Sequence, residues 1–305
     1  MSPILSRSQS ASQHGGRPPA AVEIAPEGVL AAALPAKSEE LVSAFVPLRS
    51  GAVVPGISDP NLKEPDSVAA AIRSALGYVS PRTRAVTVIV PDTAVRVFVL
   101  DFDAFPARAS EAVPVLRFRL RKMVPFDVEH AGLSYQVLTD SKTEYRVLVA
   151  ILPNSILEEY ESAVRAAGYE PGVVMPSTLA ALAAHESTGP VLAACMSRAA
   201  ITTAITSGND LLLYRTLDLP DDPAERLVEV QRSVAVAAAY YEDKVSYLPT
   251  ELYFSGNGRA AEFEHWFGPS DLRIVDLAPR ATTGVTTPMG ELSTAGITGA
   301  LAGAD

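Results

Sequence analysis

Short apolar runs alternate with helical stripes along the chain. Residues 20–24 and 29–34 read as two strands joined at 25–28, where Pro26 and Gly28 supply turn chemistry. Residues 42–47 form a third apolar run, and 50–65, rich in Pro, Gly and Asp, reads as a loop. A helix is predicted over about 67–76, capped by Ser67, because Val68, Ile72 and Leu76 recur at i, i+4 and i+8. Residues 86–90 and 94–102 are β-rich and separated by Pro91-Asp92-Thr93. The stretch 110–123 has a helical pattern, with Pro114 expected in its first turn. Strands follow at 133–138 and 145–152 around a polar turn at 140–142. Asn154 is expected to cap a helix that runs to 167 and stops at Gly168. A strand at 172–175 and a short helix at 176–184 close the first half.

The second half repeats the scheme. Runs at 192–194, 200–205 and 211–217 predict a meander, with Gly208-Asn209 in its second turn. The longest helix is predicted over 222–245, with Leu227, Val230, Val234 and Ala238 as its core stripe. Tyr240 and Tyr241 fall near its end, one ring expected inside and one outside. Strands at 251–254 and 272–277 and a small-residue helix at 294–301 follow. Two halves that each begin with strands and continue into helices imply a pair of α/β lobes with a cleft between them.

Composition narrows the partners. The 305 residues carry a formal net charge of −10, so nothing favours nucleic acid beyond short basic clusters such as Arg117, Arg119, Arg121 and Lys122. The single cysteine, Cys195, excludes an internal disulfide framework and a cysteine-cluster metal site. No apolar run approaches the roughly 20 residues that span a bilayer. Residues 1–19 are rich in polar residues, lack the apolar core of a secretory signal, and read as a disordered tail. The cytoplasm is the expected compartment.

Isolated candidates for chemistry are weak. Asp127, Glu129 and His130 share a segment, but on extended backbone His130 faces away from the acids. Asp101 and Asp103 flank Phe102 at a strand end, where solvent-facing acids are common. Ser255 does not sit in a nucleophile elbow. His185 and His265 have no partner that sequence identifies. The apolar neighbours of Cys195 suit an inert thiol.

Three segments carry a resemblance. They are LRKMVPFDVEHAGLSYQVL at 120–138; AILPNS at 150–155 with AAGYEPGVVM at 166–175 and the Ala181-Leu182 pair; and EVQRSVAVAAAYY at 229–241 with LYFSGNG at 252–258. In order and spacing they resemble the PilM family of type IV pilus assembly proteins, actin-like ATPases related to FtsA. The resemblance covers about 86–301. It implies a two-lobed α/β fold of the actin-like, ribonuclease H-like type with an inserted small α+β domain. The expected division is a first lobe from 20–84 and 171–188, the inserted 1C domain at 85–170, and a second lobe at 189–305.

The resemblance also marks departures. Proteins of that fold place an acidic, glycine-rich turn in each lobe, whose carboxylates hold magnesium or its waters and whose glycine amides approach phosphate. The first turn here is VEIAPEG at 22–28, with Glu23 at the acidic position and Ala25 and Pro26 where glycine and a donor amide are wanted. The second is LAACMS at 192–197, with Ala194 at the acidic position and Met196 at the glycine position. Only the adenosine turn keeps its glycines, Gly256 and Gly258. The expectation is a pseudo-ATPase without a working ATP or magnesium site, Glu23, Gly256 and Gly258 being its vestige; the alternative is an active ATPase that uses those three residues.

The resemblance further implies a partner. PilM-like proteins grip the cytoplasmic N-terminal peptide of the membrane protein PilN in a groove between the first lobe and 1C. Carried over, the lining is Val88, Val95, Val97, Leu116, Leu120, Pro125 and Phe126, with Arg117 adding charge; the rival placement for these apolar residues is the 1C core. A scaffold peripheral to an inner-membrane platform follows, serving a pilus or a related secretion machine. A cytoplasmic domain akin to GspL is a further alternative, set against by the lack of a membrane segment after Leu301.

Overall fold

The computed structural model describes residues 17–34, 41–58, 60–140, 144–185, 187, 189–208, 210–278 and 293–302. The polar turn at 140–142, Asn209, and residues 1–16 of the predicted tail lie wholly or mainly outside them. In chain order the first lobe opens with β1 (Ala20–Ala25), β2 (Gly28–Ala33), β3 (Val42–Pro47), α1 (Pro65–Val79) and β4 (Ala85–Val90). A small domain follows, with β5 (Arg96–Phe102), α2 (Ala109–Leu120), β6 (Ala131–Asp140) and β7 (Tyr145–Pro153). The chain returns through α3 (Asn154–Ala166), β8 (Glu170–Pro176) and α4 (Ser177–Leu182). The second lobe holds β9 (Pro190–Met196), β10 (Ala200–Ser207), β11 (Asp210–Asp218), α5 (Pro223–Val245), β12 (Glu251–Gly256), α6 (Ala260–Phe267) and β13 (Arg273–Asp276); α7 (Ala295–Leu301) comes last.

Each lobe contains a five-stranded sheet, ordered β3-β2-β1-β4-β8 in the first and β11-β10-β9-β12-β13 in the second. In both, the first three strands form an antiparallel meander and the last two run parallel to the strand that opens the lobe. The two lobes are therefore one topology used twice. β2 is buried along its whole length, as the unbroken run Val29–Ala33 requires of a strand covered on both faces.

Local sequence explains most element ends. Val68, Ile72 and Leu76 form the fully buried stripe of α1, but the helix starts two residues before Ser67, at Pro65, because proline's fixed φ suits the first helical position. Pro153 likewise takes the cap position of α3 and Asn154 becomes its first residue. In α2, Pro114 sits beyond the first turn, and its exposed position lets solvent serve the carbonyl it leaves unbonded. Asp222 caps α5 by accepting from the amides of Ala224 and Glu225 at 3.0 and 2.9 Å. The buried stripe of α5 runs through Val230, Val234, Ala237 and Tyr241, leaving Ala238 half-buried and Tyr240 outside.

The predicted domain boundaries need correction. β4 lies between β1 and β8 in the first-lobe sheet, and α3 packs on α1, so the inserted domain spans 91–153 instead of 85–170. α7 joins the first-lobe core through Ile297, Ala300 and Leu301, although it follows the second lobe. A Cβ on Gly299 would meet the Ala180 carbonyl oxygen at 1.9 Å, so α7 approaches α4 as closely as only glycine allows. Residues 17–19 are fixed as well: Arg17 donates to the carbonyls of Gly299 and Ala302, and Pro19 accepts from Leu34.

Candidate functional site

The cleft between the lobes is built from segment ends. The β1–β2 turn brings Glu23 to Glu27, the 3-10 turn after β4 brings Asp92, and the start of α4 brings Ser177 and Thr178. Across from them stand Cys195, Met196 and Ser197 at the end of β9, Ser255, Gly256 and Asn257 at the end of β12, and Ser293 and Gly296 beside α7. Most of these residues line one cavity of about 100 Å³.

Asp92 organises this space. Its carboxylate accepts four hydrogen bonds: from the Thr178 amide at 3.0 Å and hydroxyl at 2.5 Å, from the Thr202 hydroxyl at 3.0 Å, and from the Tyr214 hydroxyl at 2.7 Å. Thr178 belongs to the first lobe, Thr202 and Tyr214 to the second. One carboxylate thus ties both lobes at the root of the inserted domain, and charged acceptors make the stronger hydrogen bonds. Thr216 completes the chain by pairing its hydroxyl with that of Thr202 at 3.0 Å.

A second bridge closes the mouth. Asn257 Nδ2 donates to Glu27 Oε1 at 3.0 Å, joining the turn after β12 to the β1–β2 turn. Ser255 and Ser293 pair at 2.9 Å. The turns of the second lobe also abut each other: a Cβ on Gly256 would meet the Met196 carbonyl oxygen at 2.5 Å.

Burial and clustered acids shift the titrating groups. Burial, then the charges of Asp92 and Glu27, push the Glu23 carboxyl up to about 8. Its Oε2 is buried against Gly296 and has no hydrogen-bond partner among the described residues. Burial, then Asp92, pushes the Cys195 thiol up to about 12. The same two causes raise the Tyr214 phenol far above its ordinary value, so it stays a donor to Asp92 at every physiological pH.

Magnesium–nucleotide does not fit this donor set. Among the described residues the cavity lining carries three carboxylates, from Glu23, Glu27 and Asp92, and no lysine or arginine. Asp92 already accepts four hydrogen bonds, burial and the neighbouring acids disfavour the charged form of Glu23, and Glu27 accepts from Asn257. Pro26 has no N–H for a phosphate oxygen. The glycines of the turn after β12 have local reasons: Gly256 permits the approach to Met196, and Gly258 has φ +84° with Glu262 packed where a Cβ would stand.

The predicted groove residues divide between core and surface. Val88 lies in the first-lobe core, Val95 is buried beside it, and Leu116 and Leu120 are the fully buried underside of α2; these four line no surface. Val97 is half-buried against the first-lobe core, whereas Phe126 packs with the small-domain cluster. Along β5, Val95, Val97 and Val99 face the lobe and Phe98, Leu100 and Phe102 face α2, as strand alternation demands. Val97 and Phe126 therefore do not share one groove. Arg117 Nη2 donates to the Ala131 carbonyl at 3.1 Å at the start of β6, and its Nη1 is buried without a partner among the described residues; Pro125 is exposed and Phe126 half-buried.

The other candidates are structural. His130 Nδ1 pairs with Asp127 Oδ2 at 2.8 Å, and no cluster of three metal-ligating residues occurs among the described residues. Asp101 pairs with Arg146. His185 packs at a tilt against the Tyr253 ring, with its Nδ1 3.2 Å from the Leu277 carbonyl. Sequence reasoning missed Asp92, Thr178, Thr202 and Tyr214; Pro91-Asp92-Thr93 showed only a strand break.

No family model and no curated protein matches the sequence. Among solved structures, a chain of the PilM-PilN type IV pilus biogenesis complex superposes with a TM-score of 0.73 at 19% identity, covering 94% of this chain and 98% of that one. The cytoplasmic domain of EpsL, an inner membrane component of the type II secretion system of Vibrio cholerae, gives 0.50 at 14% identity, covering 78% and 81%. A Bacteroides thetaiotaomicron protein described as having an actin-like ATPase fold gives 0.48 at 10%, covering 81% and 84%. With the duplicated sheet order and the inserted domain, the chain has the two-lobed actin-like fold, in the form present in the PilM-PilN complex.

Proposed function

We propose that this protein is a scaffold of a type IV pilus or related secretion platform, held in a clasped state without nucleotide. The observation that carries the reading is the Asp92 carboxylate, which spends its acceptor capacity on side chains of both lobes. An actin-like hydrolase needs a cleft that opens and closes around metal and phosphate. Here protein groups satisfy one another in that place. The inserted domain adds to the clasp, since β5 lies against β11 of the second lobe.

The partner in this reading is the cytoplasmic tail of a PilN-like membrane protein. Its support is the fold likeness to a complex that contains such a pair, together with Arg117, Pro125 and Phe126 at the surface of the inserted domain. An extended tail needs backbone pairing, an apolar contact and a charge, none of which depends on ATP chemistry. The protein then works at the cytoplasmic face of the inner membrane through its partner. No described helix is long and apolar enough to cross a membrane.

Titration with synthetic N-terminal peptides of candidate membrane proteins tests this. Binding that is lost in Arg117→Glu and Phe126→Ser is expected. Failure of every such peptide removes the scaffold role at this surface.

A further inference from the structure

We infer that the outer face of α2 docks on an anionic lipid surface. α2 turns Ala112, Leu116 and Leu120 inward, all fully buried. The opposite side carries Val115 and Phe118 at i and i+3, and exposed Lys122 follows in the turn after the helix. Phe118 is 75% exposed, more than any other large apolar residue described, and its neighbours Met123 and Val115 are 42% and 38% exposed. A ring that far out of the protein stands on a ridge, where no pocket wall surrounds it.

Charge sets the class of partner. Residues 108–123 contain five cations, Arg108, Arg117, Arg119, Arg121 and Lys122, against the single acid Glu111, in a chain of net charge −10. Arg119 and Lys122, beside Phe118, make no ion pair among the described residues. Arg119 shares a surface hollow with Asp101, Asp103 and Glu144, of which Asp101 and Glu144 contact Arg146 at 3.2 and 3.3 Å. Arg108 and Arg121 pair with Glu111 and Glu129, so Lys122 is the cation of this stretch most open to a headgroup.

A convex row of apolar side chains flanked by cations matches the membrane interface. The ring and methionine enter the acyl boundary while the cations meet headgroup phosphates. A folded protein partner would have to supply a matching groove; a bilayer deforms to fit. The acidic remainder of the molecule is repelled from the same surface, so a single orientation is selected. This inference stands on α2 alone and survives if the peptide reading above fails.

Co-sedimentation of the full chain with vesicles tests it, comparing phosphatidylcholine alone with phosphatidylcholine containing phosphatidylglycerol. Binding is expected only with the anionic lipid, and it weakens as salt rises. Removing two surface cations in Arg119→Gln/Lys122→Gln lowers partitioning about thirty-fold. Phe118→Ser lowers it about ten-fold, with little change in its salt dependence. All three positions are exposed, and unchanged thermal melting confirms that the variants fold. Absence of binding to anionic vesicles at low salt, or variants that bind as well as the parent, overturns the proposal. Capture by an acidic peptide but not by vesicles also overturns it and makes the face a protein-docking surface.

Discussion

The Tyr214 hydroxyl reaches 2.7 Å to Asp92 Oδ1 from 122 residues further along the chain, fastening the edge strand of the second lobe to the entry of the inserted domain. Tyr214 is buried, and Asp92 also accepts from Thr178 and Thr202. Replacing Tyr214 by phenylalanine removes one of four donors, and we expect a loss of about 1–3 kcal/mol in denaturant unfolding. Replacing Asp92 by alanine strands three hydroxyls at once. That variant loses more, about 3–5 kcal/mol, and the double variant loses less than the sum of the two because both act on one network.

Sequence made the strands and the helix stripes visible, because period and burial agree in them. Val68, Ile72 and Leu76 announced α1, and Val230 and Val234 announced the inner face of α5. The run 97–102 did not reveal its faces, since between Arg96 and Asp101 valine alternates with phenylalanine and leucine and no polar residue marks a side. Nothing local in Ile297, Ala300 and Leu301 says that α7 returns to the first lobe. The importance of Asp92 was hidden for a related reason: its partners Thr178, Thr202 and Tyr214 lie 86 to 122 residues away, and each is an ordinary residue of a strand or short helix. Pro26 and Met196 were legible as residues without a free amide or a small side chain, because proline and methionine carry that chemistry wherever the fold places them.

Glu23 gives the clasp a pH signature. Its carboxyl is raised from 4.5 to about 8, so the folded state binds the proton more tightly than the unfolded chain. The associated stability is present in full below about pH 4.5 and is lost as pH rises through about 8. Glu23→Gln keeps a neutral side chain at every pH. We expect it to flatten stability between pH 5 and 8 and to exceed the parent by on the order of 3 kcal/mol at pH 8. Parallel pH profiles for the two proteins, measured by urea unfolding, would refute this assignment.

Cys195 reports on whether the cleft is shut. A thiol raised to about 12 carries almost no thiolate at neutral pH, and thiolate is the reactive form. Iodoacetamide at pH 7.5 is expected to label the native protein far more slowly than the urea-unfolded chain. Asp92→Ala should accelerate labelling by removing both the nearby negative charge and the clasp. Native labelling as fast as that of the unfolded chain would mean an open cleft.

The account turns on whether the space between the lobes still receives a nucleotide. Isothermal titration of the full chain with magnesium–ATP measures this directly. No saturable heat is expected, nor any rise in melting temperature at millimolar ATP, because burial disfavours the charged form of Glu23, Asp92 and Glu27 already accept hydrogen bonds, and no described lysine or arginine lines the cavity. Submicromolar binding abolished by Glu23→Ala would contradict the account and restore the reading of an active ATPase built on Glu23, Gly256 and Gly258.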